Sequence, residues 1–561
     1  MAGALGQGKR LGGALALLIA VGSMAGSGPP VLGGASAPVA AQRPQADQPV
    51  DPAVQIEFDA ELVMPHFDDI ALATAAVADP ASPDYRHYLS ASAFGQRFGL
   101  SLGAIAQAAA WFNQHGLTVT GRPANRTELQ LRASAGQLER VLGAQLVGRT
   151  DAAGVAYHRL VEPARVPADL APYVSGFGGL DTSPASRPQP HFGPANGLHP
   201  VDLAKAYGID PLRAQDLDGS GQSVAVVSFD TFDPQDIAAF DRATGISGPA
   251  IESIRLSGAP RKPGDSQDEV SLDLETIRAM APKAQIYDYE APQSANWSDI
   301  INRIVEDHKV QIVSISWGLC EPVVGPRAGD ADDLALASAE LSGLSIFVSS
   351  GDAGAYDCLD QGDGRQRDFE VAVDYPSVSP HVIAVGGTYL SLHQDGSYLG
   401  ETAWQDPLGQ SGSGGGLSHV FARPAWQAGP GVSNSTSNGK RQVPDVAGPA
   451  DPASGMFVVS NGQAEVVGGT SAATPFWAGS MVLAAQLAAK DGITSLGFLD
   501  PTLYAVAAGQ GADGNPFHDV TVGANLLYPA TPGWDFATGW GSPQLSNLVP
   551  AIVAYLQAHP D

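Results

Sequence analysis

GGTSAATPFWAGSMVLAAQLAA, running from Gly468 to Ala489, is the stretch from which the rest of the chain can be read. Two glycines and a threonine lead into Ser471, Pro475 follows closely, and small and apolar residues then continue without a break. Proline is tolerated in a first helical turn, and a helix apolar all round belongs in a core. The stretch therefore predicts a tight turn feeding a buried helix. Ser471 would stand at the helix N-terminus, where free N–H groups and the positive end of the dipole favour an oxyanion. That makes Ser471 a candidate nucleophile, while a small-residue turn packed closely against a strand fits G-T-S equally well.

Upstream of this helix, short apolar runs without polar alternation recur: SVAVVSF, QIYDYEA, VQIVSISWG, LSIFVSSGD and HVIAVGGT. Such runs suit strands buried on both faces. Helical stretches such as SDIINRIVEDH and DDLALASAELSG separate them, so the class is α/β, a mostly parallel sheet with helices on both faces. Reactive groups in such sheets gather at the carboxyl ends of strands.

The first part of the chain reads differently. Residues 42–190 combine helix-like segments (SPDYRHYLSASAFGQRFG, then SLGAIAQAAAWFNQHG ending at Gly116) with short alternating strands, LTVTGRP, TELQLRAS and VAYHRL, around the helix AGQLERVLGAQL. This mixture predicts a separate α+β, ferredoxin-like module. A Pro-rich connector, SPASRPQPHFGPANGLHP, separates it from residues 191–561 and suggests a linker or a processing site. Ahead of it, Lys9 and Arg10 precede LGGALALLIAVGSMAG and a small-residue site at Val39-Ala40-Ala41. Residues 1–41 thus read as a secretory signal, with Ala35-Ser36-Ala37 as the other possible cleavage site. The apolar run is shorter than the ~20 residues a membrane span needs, and no later run qualifies, so an exported protein without a membrane anchor is expected.

Acidic residues outnumber basic ones 58 to 30, a formal charge of −28. That excludes the basic footprint a nucleic-acid binder needs. With so few Lys and Arg, little positive charge would remain once carboxylates are neutralised, which suits work in acid as well as simple solubility. The two cysteines, Cys320 and Cys358, are expected to form one disulfide in an exported chain.

Carboxylates dominate the candidate chemistry. In DEVSLDLETIRAMAPKAQI (268–286) helical spacing puts Glu269 and Asp273 one turn apart on one face. Paired carboxylates can share a proton and yield a base that works in acid; a solvated acidic face fits the same spacing. In VSSGDAGAYDC, Asp352 follows a buried strand in a Gly-rich turn. There it could cap backbone N–H groups or, if protonated, donate to a developing oxyanion.

Taken in order, EVSLD, SISWG, SSGDAG, GGTSAATP and HDVTVG…GWDFATGWGSP resemble the sedolisin family of serine-carboxyl peptidases. None of the twelve histidines is followed by the Gly-Thr of the subtilisin His motif. Residues 42–190 resemble that family's activation prodomain, with its SPDYRHYL opening and VPADLAPYVSGFGGL close. The resemblance implies a subtilisin-like α/β fold and a secreted, acid-active endopeptidase made as a zymogen. It implies Ser471 as nucleophile, Glu269 as general base, Asp273 as its proton-sharing partner and Asp352 as the oxyanion acid. It also implies one structural Ca²⁺ held by Asp519, Val520, Thr531, Gly533 and Asp535. Asp374 becomes a candidate for the primary specificity pocket, suited to basic side chains, and Trp317 a candidate to pack on the carboxylate pair. Ser228 stands where some relatives carry a further Glu. Polypeptide substrates and the chain's own prodomain are the expected partners, with the protein a monomer, and acid is expected to weaken ion pairs that hold the prodomain in place. A binding protein on a catalytically dead scaffold and an ordinary His-based serine hydrolase are the competing readings.

Overall fold

The computed structural model describes residues 47–150, 156–182, 191–193, 197–327, 329–360, 369–509 and 514–560. The expected signal segment lies outside them, as do 183–190 and 194–196 of the connector.

In the first module, β1 (Gln55–Leu62) turns Ile56, Phe58, Ala60 and Leu62 into a core on alternate positions. Helix α1 (Leu102–Gln114) starts where the Ser101 side chain accepts from the Ala104 N–H. The hairpin β2 (Thr118–Gly121) and β3 (Glu128–Ser134) leads into α2 (Ala135–Leu142), which opens on a capping box of Ser134 and Gln137 and closes at Gly143, φ +65°. With β4 (Val174–Gly178) these strands form an antiparallel sheet in the order β2-β3-β1-β4. This is the βαββαβ arrangement of a ferredoxin-like module. The segment 82–99 is helical only over Ala91–Phe98, because Arg86 adopts φ +55° in the preceding turns. Its guanidinium donates to the carbonyls of Ser495 and Leu496.

A second, larger core follows. Strand β5 (His191–Phe192) precedes β6 (Ser223–Ser228), β7 (Glu252–Arg255), helix α3 (Gln267–Met280), β8 (Gln285–Glu290), α4 (Trp297–Asp307), β9 (Ile312–Ile315), α5 (Ala331–Leu341), β10 (Ser345–Ser349) and β11 (Ile383–Leu392). The sheet runs β7-β8-β6-β9-β10-β11 with parallel ladders throughout. Strand β12 (Tyr398–Ala403) adds antiparallel to β11, and β13 (Val446–Pro449) adds parallel to it. Every residue of β9 and β10 is buried, as expected of strands covered on both faces. A hairpin of β14 (Met456–Ser460) and β15 (Gln463–Gly468) delivers the chain into α6 (Thr470–Lys490), the predicted buried helix.

Both modules belong to one unit, Gln45–Asp561. The first module packs on α4 and α5. Ile70, Ala73, Val77, Phe94 and Phe98 form one cluster with Leu334, Ala337 and Leu341 of α5. At the centre of the seam, carboxylates meet amides rather than cations. Asn296 donates to Asp59, Gln130 donates to Asp299 at 2.6 Å, and Asn302 donates to Glu128 at 3.1 Å. The expectation that acid loosens this seam by breaking ion pairs does not describe its centre, since acid would relieve repulsion there. Burial pushes Glu128 up to about 8, Asp332 to about 7 and Asp299 to about 6, with neighbouring carboxylates adding to each.

Candidate active site

The turn before α6 is built from two glycines that nothing larger could replace. A Cβ on Gly468 would fall 2.5 Å from the Ala450 carbonyl oxygen. Gly469 has φ +114°, and a Cβ there would fall 2.6 Å from Asp352 Oδ2. This geometry brings Ser471 to the first turn of the helix, 6% exposed. Pro475 lacks the N–H that would bond to the Ser471 carbonyl. The Ser316 hydroxyl oxygen lies 3.3 Å from that carbonyl, and the Ser471 hydroxyl lies 3.4 Å from the Ser316 carbonyl.

Glu269 and Asp273 lie one turn apart on α3, whose residues from Gln267 to Met280 are nearly all buried, so their face is not solvated. Burial pushes Glu269 well above the usual carboxylate range. The Asp273 charge adds to this, and a hydrogen bond from the Ser471 hydroxyl opposes it. Burial also pushes Asp273 up, opposed by the Ser316 hydroxyl, which donates to Asp273 Oδ1 at 2.6 Å. Glu269 Oε1 and Asp273 Oδ2 are buried without a hydrogen-bond partner. Two such oxygens on neighbouring carboxyls suit one shared proton better than two full charges.

Asp352 follows β10 and meets the same turn from the other side. Its Oδ1 accepts from the Thr470 N–H at 2.7 Å and from the Thr470 hydroxyl at 2.8 Å. Strand β5 pairs with β15, His191 opposite Gly468, which sets His191 Nε2 3.5 Å from Asp352 Oδ2. The imidazole thus enters the site facing a carboxylate and not Ser471. Asp374 is buried behind this loop. A Cβ on Gly318 would fall 2.1 Å from its Oδ1, and burial, then Asp357 and Asp352, push its carboxyl up. Cys320 and Cys358 lie at disulfide distance, Cα atoms 5.0 Å apart, and Cys320 pairs across a short ladder with Asp374. Trp317 is fully buried, with Phe229 edge-on at 5.3 Å as a ring neighbour.

The C-terminal residues converge on one turn. Thr531 N–H donates to Asp535 Oδ2 at 2.7 Å, and Gly533 N–H donates to Asp519 Oδ2 at 3.0 Å. Burial pushes Asp535 up to about 6. The carbonyl oxygens of Val520, Thr531 and Gly533 take no backbone hydrogen bond among the described residues. Two carboxylates beside three free carbonyls form the hard, all-oxygen donor set that suits Ca²⁺.

The chain is similar to known proteins along most of its length. The family model "Pro-kumamolisin, activation domain" matches residues 43–183, and "Subtilase family" matches 259–541. Kumamolisin of Bacillus sp. (strain MN-32) is 34% identical over 505 residues, 84% of this chain and 87% of the relative. The chain belongs to the sedolisin family. Sedolisin of Pseudomonas sp. (strain 101) is 28% identical over 502 residues, 84% of this chain and 83% of the relative. The solved structure of Pseudomonas sedolisin complexed with two molecules of pseudo-iodotyrostatin superposes with TM-score 0.56 at 29% identity. It covers 65% of this chain and 99% of the solved one. As a sedolisin-family chain with an activation domain, this is a serine-type peptidase in zymogen form.

Three contributors to this sedolisin site are not singled out by the sequence. Ser316 lies inside SISWG, where the tryptophan is the more conspicuous residue. Thr470 and His191 reach Asp352 through turns and strand pairing that carry no local signal.

Proposed function

We propose that the protein is a secreted, acid-active serine-carboxyl endopeptidase in which Ser471 is the nucleophile and Glu269 its general base. The observation that carries this reading is the burial of Glu269 and Asp273 one turn apart on α3, the helix packed against the α6 that carries Ser471. Because Glu269 and Asp273 share one proton, the pair keeps one negative charge, and Glu269 can accept the Ser471 proton. Attack on the scissile carbonyl forms a tetrahedral oxyanion, and proton return to the leaving amine gives an acyl-enzyme that water hydrolyses. Asp273 shares the proton with Glu269 and is held by Ser316. Asp352, beside the N-terminus of α6, is the oxyanion donor when its carboxyl carries a proton. Asp374 is proposed as the floor of the primary pocket, where a carboxylate would pair with Lys or Arg of a substrate.

Asp519 and Asp535, with the carbonyls of Val520, Thr531 and Gly533, are proposed to hold one Ca²⁺. The ion would stiffen the C-terminal turn and take no part in the chemistry. Residues 1–41 are proposed to direct export, and among the described residues no helix is long and apolar enough to cross a membrane.

Cleavage of an unfolded protein across pH, wild type beside Ser471→Ala and Glu269→Gln, tests the reading. Activity confined to acid and lost in both variants is expected. A neutral optimum, or a Glu269→Gln enzyme with wild-type rates, overturns the assignment of the base.

A further inference from the structure

The seam between the two modules gathers more negative charge than its surroundings balance. One face of the β1 and β3 pair holds Ile56, Phe58, Ala60, Leu129 and Leu131 in the core of the first module. Strand alternation turns Asp59, Glu128 and Gln130 to the other face, against α4. Helix α4 brings Asp299 in its first turn, and α5 brings Asp332, which accepts from the Ser298 N–H at 2.8 Å. One carboxylate oxygen from each of Asp59, Glu128 and Asp299 lies within 4.8 Å of the other two. Asp59 is 3% exposed and Glu128 1%, so bulk water does not screen them.

Neutral donors do not offset this charge. Asn296, Gln130 and Asn302 each donate one N–H to the cluster. The N-terminus of α4 supplies about half a positive charge against three carboxylates. The charged groups that act on Asp59, Glu128, Asp299 and Asp332 are themselves carboxylates. Glu128 also has an oxygen to spare: its Oε2 is buried and accepts no hydrogen bond, and Ser298 Oγ, which faces Glu128, is buried without one as well. Buried oxygens left without a partner are costly, and a cation is the partner that three acids share. Ca²⁺ takes oxygen ligands at about 2.3–2.6 Å, so two oxygens on one ion stand up to about 5 Å apart, a span that accommodates these three. It also tolerates irregular geometry, which suits ligands drawn from separate elements.

We propose that Asp59, Glu128 and Asp299 hold one Ca²⁺ that clamps the first module onto α4 in the zymogen. Two of these ligands belong to the first module and one to the second, so the ion ties the modules together directly. The amides of Asn296 and Gln130, turned end for end, offer carbonyl oxygens, and water completes the roughly six to eight ligands Ca²⁺ takes. An ion that takes the carboxylate oxygens displaces any protons they hold. The clamp is independent of the chemistry at Ser471 and of the C-terminal turn. Removal of the first module destroys this site and leaves the other.

The test counts Ca²⁺ bound at neutral pH, by calorimetric titration of the full-length Ser471→Ala zymogen after treatment with chelator. The parent also carries Asp535→Asn, so that the C-terminal turn is weakened as a second site. Glu128→Gln and Asp299→Asn, each added to this parent, keep size and shape while removing one charged ligand. Each is expected to bind one ion fewer per chain than the parent and to lose the parent's rise in melting temperature on adding Ca²⁺. In chelator each should melt no lower than the parent, because a buried charge has gone, and this separates a lost ion from a lost fold. A parent that binds no Ca²⁺, or variants that bind as much as the parent, would overturn the site and leave protons alone to neutralise the seam.

Discussion

Replacing Ser316 by alanine removes one hydroxyl and should shift the acid limb of activity. The hydroxyl donates to Asp273 Oδ1 at 2.6 Å, and the other oxygen of Asp273 has no partner. Asp273 is fully buried, so water cannot take over the lost bond. A hydrogen bond to a charged group contributes about 1.5–3 kcal/mol. One pH unit corresponds to about 1.4 kcal/mol, so the midpoint for protonating the pair should rise by ~1–2 pH units. The sign follows from which form the bond favours: Ser316 stabilises ionised Asp273, and without it the pair stays protonated to higher pH. The acid limb of kcat/KM therefore moves to higher pH, and at a fixed pH on that limb activity drops about tenfold for each pH unit the limb moves. Profiles of a fluorogenic peptide for wild type, Ser316→Ala and Ser316→Thr would measure this, the threonine variant retaining the donor. An acid limb in Ser316→Ala that stays in place or moves to lower pH would refute the reasoning.

Further outcomes concern the seam, the disulfide and the C-terminal turn. Glu128, pushed up to about 8 in the docked state, holds its proton there more tightly than when exposed. Its contribution to docking is full below the ordinary carboxylate range and is lost as pH rises through about 8. Glu128→Gln in a chelated Ser471→Ala zymogen should then strengthen docking by on the order of 4 kcal/mol at pH 8 and hardly at pH 4, read from melting temperatures. Equal effects at both pH values would count against it. Cys320 and Cys358 are 38 residues apart, a loop whose cross-link is worth ~4 kcal/mol in the chain-entropy account. Cys320→Ser/Cys358→Ser should lower the denaturation midpoint accordingly, and an unchanged midpoint would mean the bond is absent in solution. Chelation, or Asp535→Asn, should lower the melting temperature of the mature enzyme, with added Ca²⁺ restoring the chelated protein but not the variant. Indifference to both would remove calcium from the account.

The α/β class and the buried helix behind Ser471 are legible in the sequence because they depend on local properties: unbroken apolar runs, a glycine turn and a proline within one helical turn. The spacing of Glu269 and Asp273 is equally local, one turn of one helix. Whether that pair faces water or a core is not, since spacing is identical in both cases; the packing of α3 under α6 decides it. Strand β1 gives no clear sequence signal because its acids Glu57, Asp59 and Glu61 interrupt the apolar alternation, and the seam explains Asp59, which is buried against Asn296. Arg86, by contrast, breaks a helix that its neighbours' spacing favours, for bonds to carbonyls over 400 residues away.

The sequence by itself determined which residue types were available for chemistry and the short-range geometry that presents them: a serine on a tight turn, two acids on one helical face, a carboxyl after a buried strand. Only the tertiary structure decided which carboxyls are sealed from water and which polar atoms reach them. Ser316, Thr470 and His191 arrive from strands and loops distant in the chain. Proton affinity depends on burial and on neighbours through space, and neither is written in the local order of residues.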